Sequence, residues 1–104
     1  VEVVVTGRHG VAPELREYAE RKVAKLEHLF ERLTSASVVL DVAGAVHKAE
    51  ASVHAPGGAV LVARPEAGDM RQALDDLEAR LCTQARKLKA KREGRRKAPG
   101  RGAA

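Results

Sequence analysis

Covalent or metal chemistry in this 104-residue chain would have to come from four histidines, one cysteine and a cluster of acids. Their spacing argues against it. His9, His28, His47 and His54 are scattered, and His47 and His54, seven apart on one predicted strand, point to opposite faces. Cys82 lies well around a predicted helix from Leu77 and has no histidine placed to take its proton, so it reads as a partly exposed thiol. Asp75, Asp76 and Glu78 fall in the first turns of that helix, where carboxylates complement the positive end of the helix dipole. That reading is preferred to a metal site. Residues 7–10 fit G-x-x-G, the backbone clamp of KH domains, but stand between a strand and a helix and so read as an ordinary turn. No serine lies in G-x-S-x-G, and there is neither a Walker loop nor zinc-ligand spacing. No catalytic residue, metal or cofactor is expected, and the chain is not expected to be an enzyme.

Phosphate recognition is the chemistry the residues do support. Residues 1–79 carry nine Lys/Arg against thirteen Asp/Glu, while residues 80–104 carry ten against one, Glu93. The net charge of +5 therefore conceals parts of −4 and +9. Such a basic block points to a polyanion, nucleic acid before a membrane surface. A solvated helix end followed by a basic tail is the plainer alternative. Proteins that read single strands stack bases on aromatic rings, and only Tyr18 and Phe30 are available, both near the buried side of a helix.

Those charges need elements to hold them. Residues 1–6 are β-branched apart from Glu2 and predict a strand. After the Gly7 to Gly10 break, Pro13 suits a first helical turn, and Leu15, Ala19, Val23, Leu26, Phe30 and Leu33 recur every three or four residues, which predicts an amphipathic helix over 13–33. Residues 37–42 predict a second strand. Residues 46–55 alternate, with Ala49, Ala51, Val53 and Ala55 inward and Lys48, Glu50, Ser52 and His54 outward. Pro56, Gly57 and Gly58 make a tight connection to a fourth strand over 59–63, and 65–68 reads as a loop. Asp69 is a candidate N-cap for a second helix reaching about residue 92, with Met70, Ala73, Leu74, Leu77, Leu81, Ala85 and Leu88 as its apolar stripe.

The order β-α-β-β-β-α implies an α+β fold. A parallel crossover is followed by two hairpin connections, giving a four-stranded sheet with two parallel helices packed on one face. This resembles the double-stranded-RNA-binding domain, which reads shape and phosphates. Residues 1–93 are expected to form one domain and residues 94–104 a basic disordered tail or the start of a linker. The longest uncharged stretch is 13 residues, 51–63, and is broken by Pro56, Gly57 and Gly58, short of the roughly 20 apolar residues a bilayer span needs. No basic n-region followed by an apolar h-region opens the chain. A single cysteine excludes an internal disulfide and suits a reducing, cytoplasmic compartment.

At about 100° per residue, Lys22, Lys25, Arg21 and Arg32 share one flank of the first helix. Arg80, Lys87 and Lys91 share one flank of the second, with Gln84 between them near the buried edge and Arg86 and Lys89 outward. In parallel helices these flanks face the same lateral direction. One must line the groove between the helices and the other an outer shoulder. Pairing at i,i+4, as in Glu17 with Arg21, explains the first helix without any partner, but beyond Arg80 the second has almost no acids to pair with.

Several segments together resemble the ribosome hibernation promoting factor family, also called ribosome-associated inhibitor or sigma-54 modulation protein. They are Thr6 and Gly7 closing the first strand, Lys22, Lys25 and Glu27 in the first helix, Ala51 to His54 with the Pro56 to Gly58 turn, Val60 to Ala63, and Asp69 and Met70 opening the second helix. The resemblance covers residues 1 to about 93. It implies the same β-α-β-β-β-α fold and a binder of the small ribosomal subunit. Such a binder would occupy the path of tRNA and mRNA and hold ribosomes idle under stress. Carried over by position, it implies contacts to ribosomal RNA from Lys22 and Lys25 in the first helix and from Arg80, Lys87 and Lys91 in the second. Two positions depart from the family pattern: Arg71, where an aromatic residue is frequent, and Thr83, where a basic residue is usual and Arg86 could compensate. A general double-stranded RNA- or DNA-binding module without ribosome specificity is the alternative. With Lys48, Glu50, Ser52 and His54 on the open sheet face, a monomer is expected, with no small-molecule substrate and no membrane partner.

Overall fold

In the computed structural model the described residues are 2–8, 11–26 and 33–102, with side chains described as far as Lys91. The elements are β1 (Glu2–Gly7), α1 (Pro13–Ala24), β2 (Ser35–Ala43), β3 (Val46–His54), a single 3-10 turn (Pro56–Gly58), β4 (Val60–Ala63), β5 (Glu66–Ala67) and α2 (Met70–Gly102). β-Branched residues build β1. Gly7 ends it where a Cβ would stand 2.9 Å from Arg16 Nε and 3.1 Å from Val11 Cβ, so glycine lets α1 approach the strand end. Pro13 opens α1 with its preset φ and a missing N–H that the first turn does not need. The Lys25 N–H still donates to the Arg21 carbonyl at 3.3 Å. The expected continuation toward residue 33 falls on residues 27–32, outside the described residues. Leu26 and Leu33, both on the expected apolar stripe, are buried.

The sheet runs β1-β2-β3-β4, parallel between β1 and β2 and antiparallel thereafter. Gly44, at φ +61°, makes the turn between β2 and β3, a conformation that glycine adopts without strain. β5 lies within the segment expected to be a loop, and pairs with β3 through His47↔Ala67 and Lys48↔Glu66. Two residues are too few to show a period of two, which is why the alternation carried no trace of it.

Both helices cover one sheet face. The inward residues Ala36, Val38, Leu40, Ala49, Ala51, Val53, Leu61 and Ala63 form the core with Ala19 and Val23 of α1 and with Met70, Ala73, Leu74, Leu77, Leu81 and Ala85 of α2. Each fully buried leucine contributes roughly 1.5–3 kcal/mol. The α+β arrangement matches the sequence expectation. The open face is less polar than expected, because Val4, Val46, Val60 and Val62 are 39–50% exposed there. Register sets Val4, Ser37, Ser52 and Val62 in one row across the strands, so serines separate the valines.

Asp69 caps α2 as expected, its carboxylate accepting the Gln72 N–H at 2.9 Å. The far end of the helix needs correcting. α2 does not stop near residue 92 but spans Met70–Gly102, taking in residues assigned above to a disordered tail. The absence of core-forming residues governs packing and not helicity. Arg, Lys and Ala are all good helix formers, and extending an existing helix requires no new nucleus.

Candidate nucleic-acid interface

α1 and α2 lie side by side, and their contacts rise in step. Tyr18 Oη donates to Asp75 Oδ1 at 2.5 Å. Lys22 Nζ reaches Asp75 Oδ1 at 3.0 Å and Glu78 Oε1 at 3.4 Å, and Lys25 Nζ lies 3.8 Å from Glu78 Oε2. Increasing numbers on one helix meet increasing numbers on the other, as parallel helices require. The α1 flank therefore lines the groove between the helices. Arg80 lines a second groove, on the other side of α2 against β4.

The acids of α2 act differently from the expectation. Asp75 and Glu78 serve as partners of α1 across the interhelical groove, besides standing early in their own helix. Asp76 instead accepts from Gln72 Nε2 at 2.9 Å. Among the described residues no group of three or more His, Cys, Asp or Glu could hold a metal ion. The hydrogen bond from Tyr18, with that from Lys22 behind it, holds the Asp75 carboxyl below its ordinary range. The hydrogen bond to Asp75, outweighing the cost of burial, raises the Lys22 ammonium above its ordinary value of 10.5. Burial raises the Cys82 thiol, which disfavours the reactive thiolate. His47 is half-buried on the core side of β3 and His54 exposed on the open side. His9 and His28 lie outside the described residues.

The six basic residues singled out from the sequence separate into two groups. Lys22, with its side chain 14% exposed, is bound by two carboxylates. Lys25 is 63% exposed and only loosely held by Glu78. Arg80, Arg86, Lys87 and Lys91 are exposed, and among the described residues none has a carboxylate partner. Periodicity missed a cationic cluster over one ring: Arg21, Lys22 and Arg71 lie 5.8, 5.1 and 5.1 Å from the Tyr18 centroid. Arg71, the departure from the family pattern, thus packs on the aromatic ring of α1. Gln84 was also missed. Its amide accepts the Val62 N–H at 3.0 Å and donates to the Val62 carbonyl at 2.6 Å, joining α2 to β4.

A sequence model of the family described as Sigma 54 modulation protein / S30EA ribosomal protein matches residues 3–93. The chain belongs to this family. Relatives include the ribosome hibernation promoting factors of Pseudomonas putida, 36% identical over 89% of this chain and 91% of that protein, and of Escherichia coli, 38% identical over 84% and 92%. Among solved structures, the N-terminal domain of Thermus thermophilus Protein Y superposes with a TM-score of 0.75 at 30% identity, covering 85% of this chain and 99% of that one. A ribosomal subunit interface protein from Coxiella burnetii gives 0.74 at 26% identity, covering 86% and 99%. The family match runs from β1 to the last turns of α2 whose side chains are described, and so includes both helical surfaces.

Proposed function

We propose that this protein is a ribosome hibernation factor that binds the small subunit through ribosomal RNA. It would act by occupying the tRNA and mRNA path, without catalysing a reaction. The observation that carries the reading is the exposed row Arg80, Arg86, Lys87 and Lys91, four cations without acidic partners among the described residues, in a chain of this family. Each phosphate that such a cation neutralises releases a counterion, the main source of affinity for nucleic acid. Lys25 extends the surface at the groove between the helices. Lys22 supports it by holding α1 against α2. The cytoplasm is the compartment where such a partner is met, and no helix among the described residues is long and apolar enough to cross a membrane.

Order of addition tests the occlusion. The protein should inhibit translation far more when added before initiation than when added to elongating ribosomes, whose path is filled. Equal inhibition in both orders would place the site elsewhere. Binding to small subunits that is abolished by excess duplex RNA or DNA would favour a general duplex-binding module instead.

The protein acts as a monomer in this reading. The exposed valines of the open sheet face are interrupted by Ser37 and Ser52 and form no continuous apolar patch of the kind obligate dimers bury. Light scattering at micromolar concentration should report a single 11.1 kDa species, and a stable dimer would contradict it.

A further inference from the structure

The groove on the outer side of α2 has a composition of its own. It encloses about 600 Å³ between β4 and the helix. Val62, Ala63 and Ala79 floor it, and Arg64, Arg80 and Gln84 rim it. Its lining contains no carboxylate. Arg64 and Arg80 are both exposed, and among the described residues neither forms an ion pair. Glu50 borders Arg64 only in the adjoining depression on the open sheet face. The Gln84 amide spends one N–H and one lone pair on Val62, so one of each is left for a ligand.

We propose that this groove takes the sugar–phosphate backbone of an RNA strand, with Arg64 and Arg80 as the two guanidinium walls for phosphate. The proposal rests on the RNA-binding reading above and deepens it. Planar guanidinium forks match phosphate oxygens in pairs, which lysine ammoniums do not. An apolar floor between two such forks suits a ribose, and the absence of a lining carboxylate removes the repulsion that would otherwise oppose a phosphodiester. The RNA footprint then turns the corner from the helix surface onto the sheet edge and includes Arg64, a residue of neither helix.

The test uses the full chain and three variants, Arg64→Gln, Arg80→Gln and the double variant, in sedimentation with small subunits across a salt series. Each single variant should bind several-fold more weakly and flatten the log–log salt dependence by roughly 0.7–0.9. The double variant should lose less than the product of the two, as for residues sharing one phosphate. If Arg64→Gln binds like the parent at every salt concentration while Arg80→Gln weakens, the groove assignment is wrong. If the parent protein does not bind subunits, the proposed function fails, and the groove is then judged alone by titrating labelled protein with an unstructured RNA hexamer. The Gln84 side-chain amide and Arg64 Nε signals should shift, and the shift should vanish in the double variant. An RNA titration that leaves them still overturns the proposal, as does an acidic hexapeptide that moves them when RNA does not.

Discussion

Replacing Lys87 and Lys91 together with glutamate should reduce affinity for the small subunit by roughly a hundredfold or more at low salt and flatten its salt dependence. Both side chains are exposed on α2, outside the stripe of Leu74, Leu77, Leu81 and Leu88 that packs on the sheet. The fold should therefore survive, as an unchanged circular dichroism spectrum would show. Two attractive contacts become two repulsive ones on a helix held in place by its buried face. The companion variant reverses Arg95, Arg96 and Lys97, which lie beyond Leu88, the last apolar residue of the stripe. Cations with no packed face behind them attract a polyanion without fixing a geometry, so this variant should lose much less. Sedimentation of both variants with small subunits across a salt series decides the matter. Loss in the terminal variant alone would move the binding element to the C-terminal end and refute the helix-surface reading.

Lys22→Met should destabilise the protein by about 1–3 kcal/mol, toward the low end because water screens the half-exposed Asp75. Methionine keeps the aliphatic stem and removes only the charge, leaving Asp75 and Glu78 without their shared cation. The pH profile carries a second signature. The Asp75 carboxyl titrates below its ordinary 3.8 in the folded protein, so its contribution is complete above that value and is lost as pH falls through and below it. The Lys22 ammonium titrates above its ordinary 10.5, so its contribution is complete below 10.5 and is lost only as pH climbs past it. Denaturant melts between pH 2 and pH 7 should show an acid limb in the parent protein and a weaker one in both Lys22→Met and Asp75→Asn. Under conditions where both variants are folded, Lys22→Met should cost less ribosome affinity than a change at Lys87. An equal loss would mean that Lys22 touches RNA directly.

The legible parts of this fold were those with long periods or distinctive punctuation. The α2 stripe from Met70 to Leu88 and the alternation of β3 each span several repeats, and Asp69 is a cap that could be read from one residue. What stayed hidden depended on how separate elements meet. Asp75 is 57 residues from Tyr18, and nothing in the local pattern of either helix shows that they touch. The commitment of Lys22 to carboxylates follows from the same docking, so rotating each helix alone could place the charge on a flank but could not tell a phosphate contact from an interhelical tie. The exposed valines needed only the outward half of the alternation in β1 and β4, where Val4, Val60 and Val62 stand opposite the inward residues. Arg64 escaped notice because it follows a four-residue strand and becomes part of a groove only when α2 returns beside that strand.

Gln84 also bears on what the protein does not assemble with. β4 ends the main strand order, and a terminal strand normally offers bare N–H and C=O groups on which another chain can polymerise. At Val62 both groups are already taken by a primary amide, which carries a donor and an acceptor side by side as a peptide group does. The side chain impersonates one residue of an adjacent strand and leaves nothing there for an intruding one to grasp. Glutamate, nearly the same shape, would set a carboxylate against the Val62 carbonyl and reopen half of that gap. A protein that must accumulate while cells are idle thus guards its sheet against self-association with a side chain borrowed from the helix beside it.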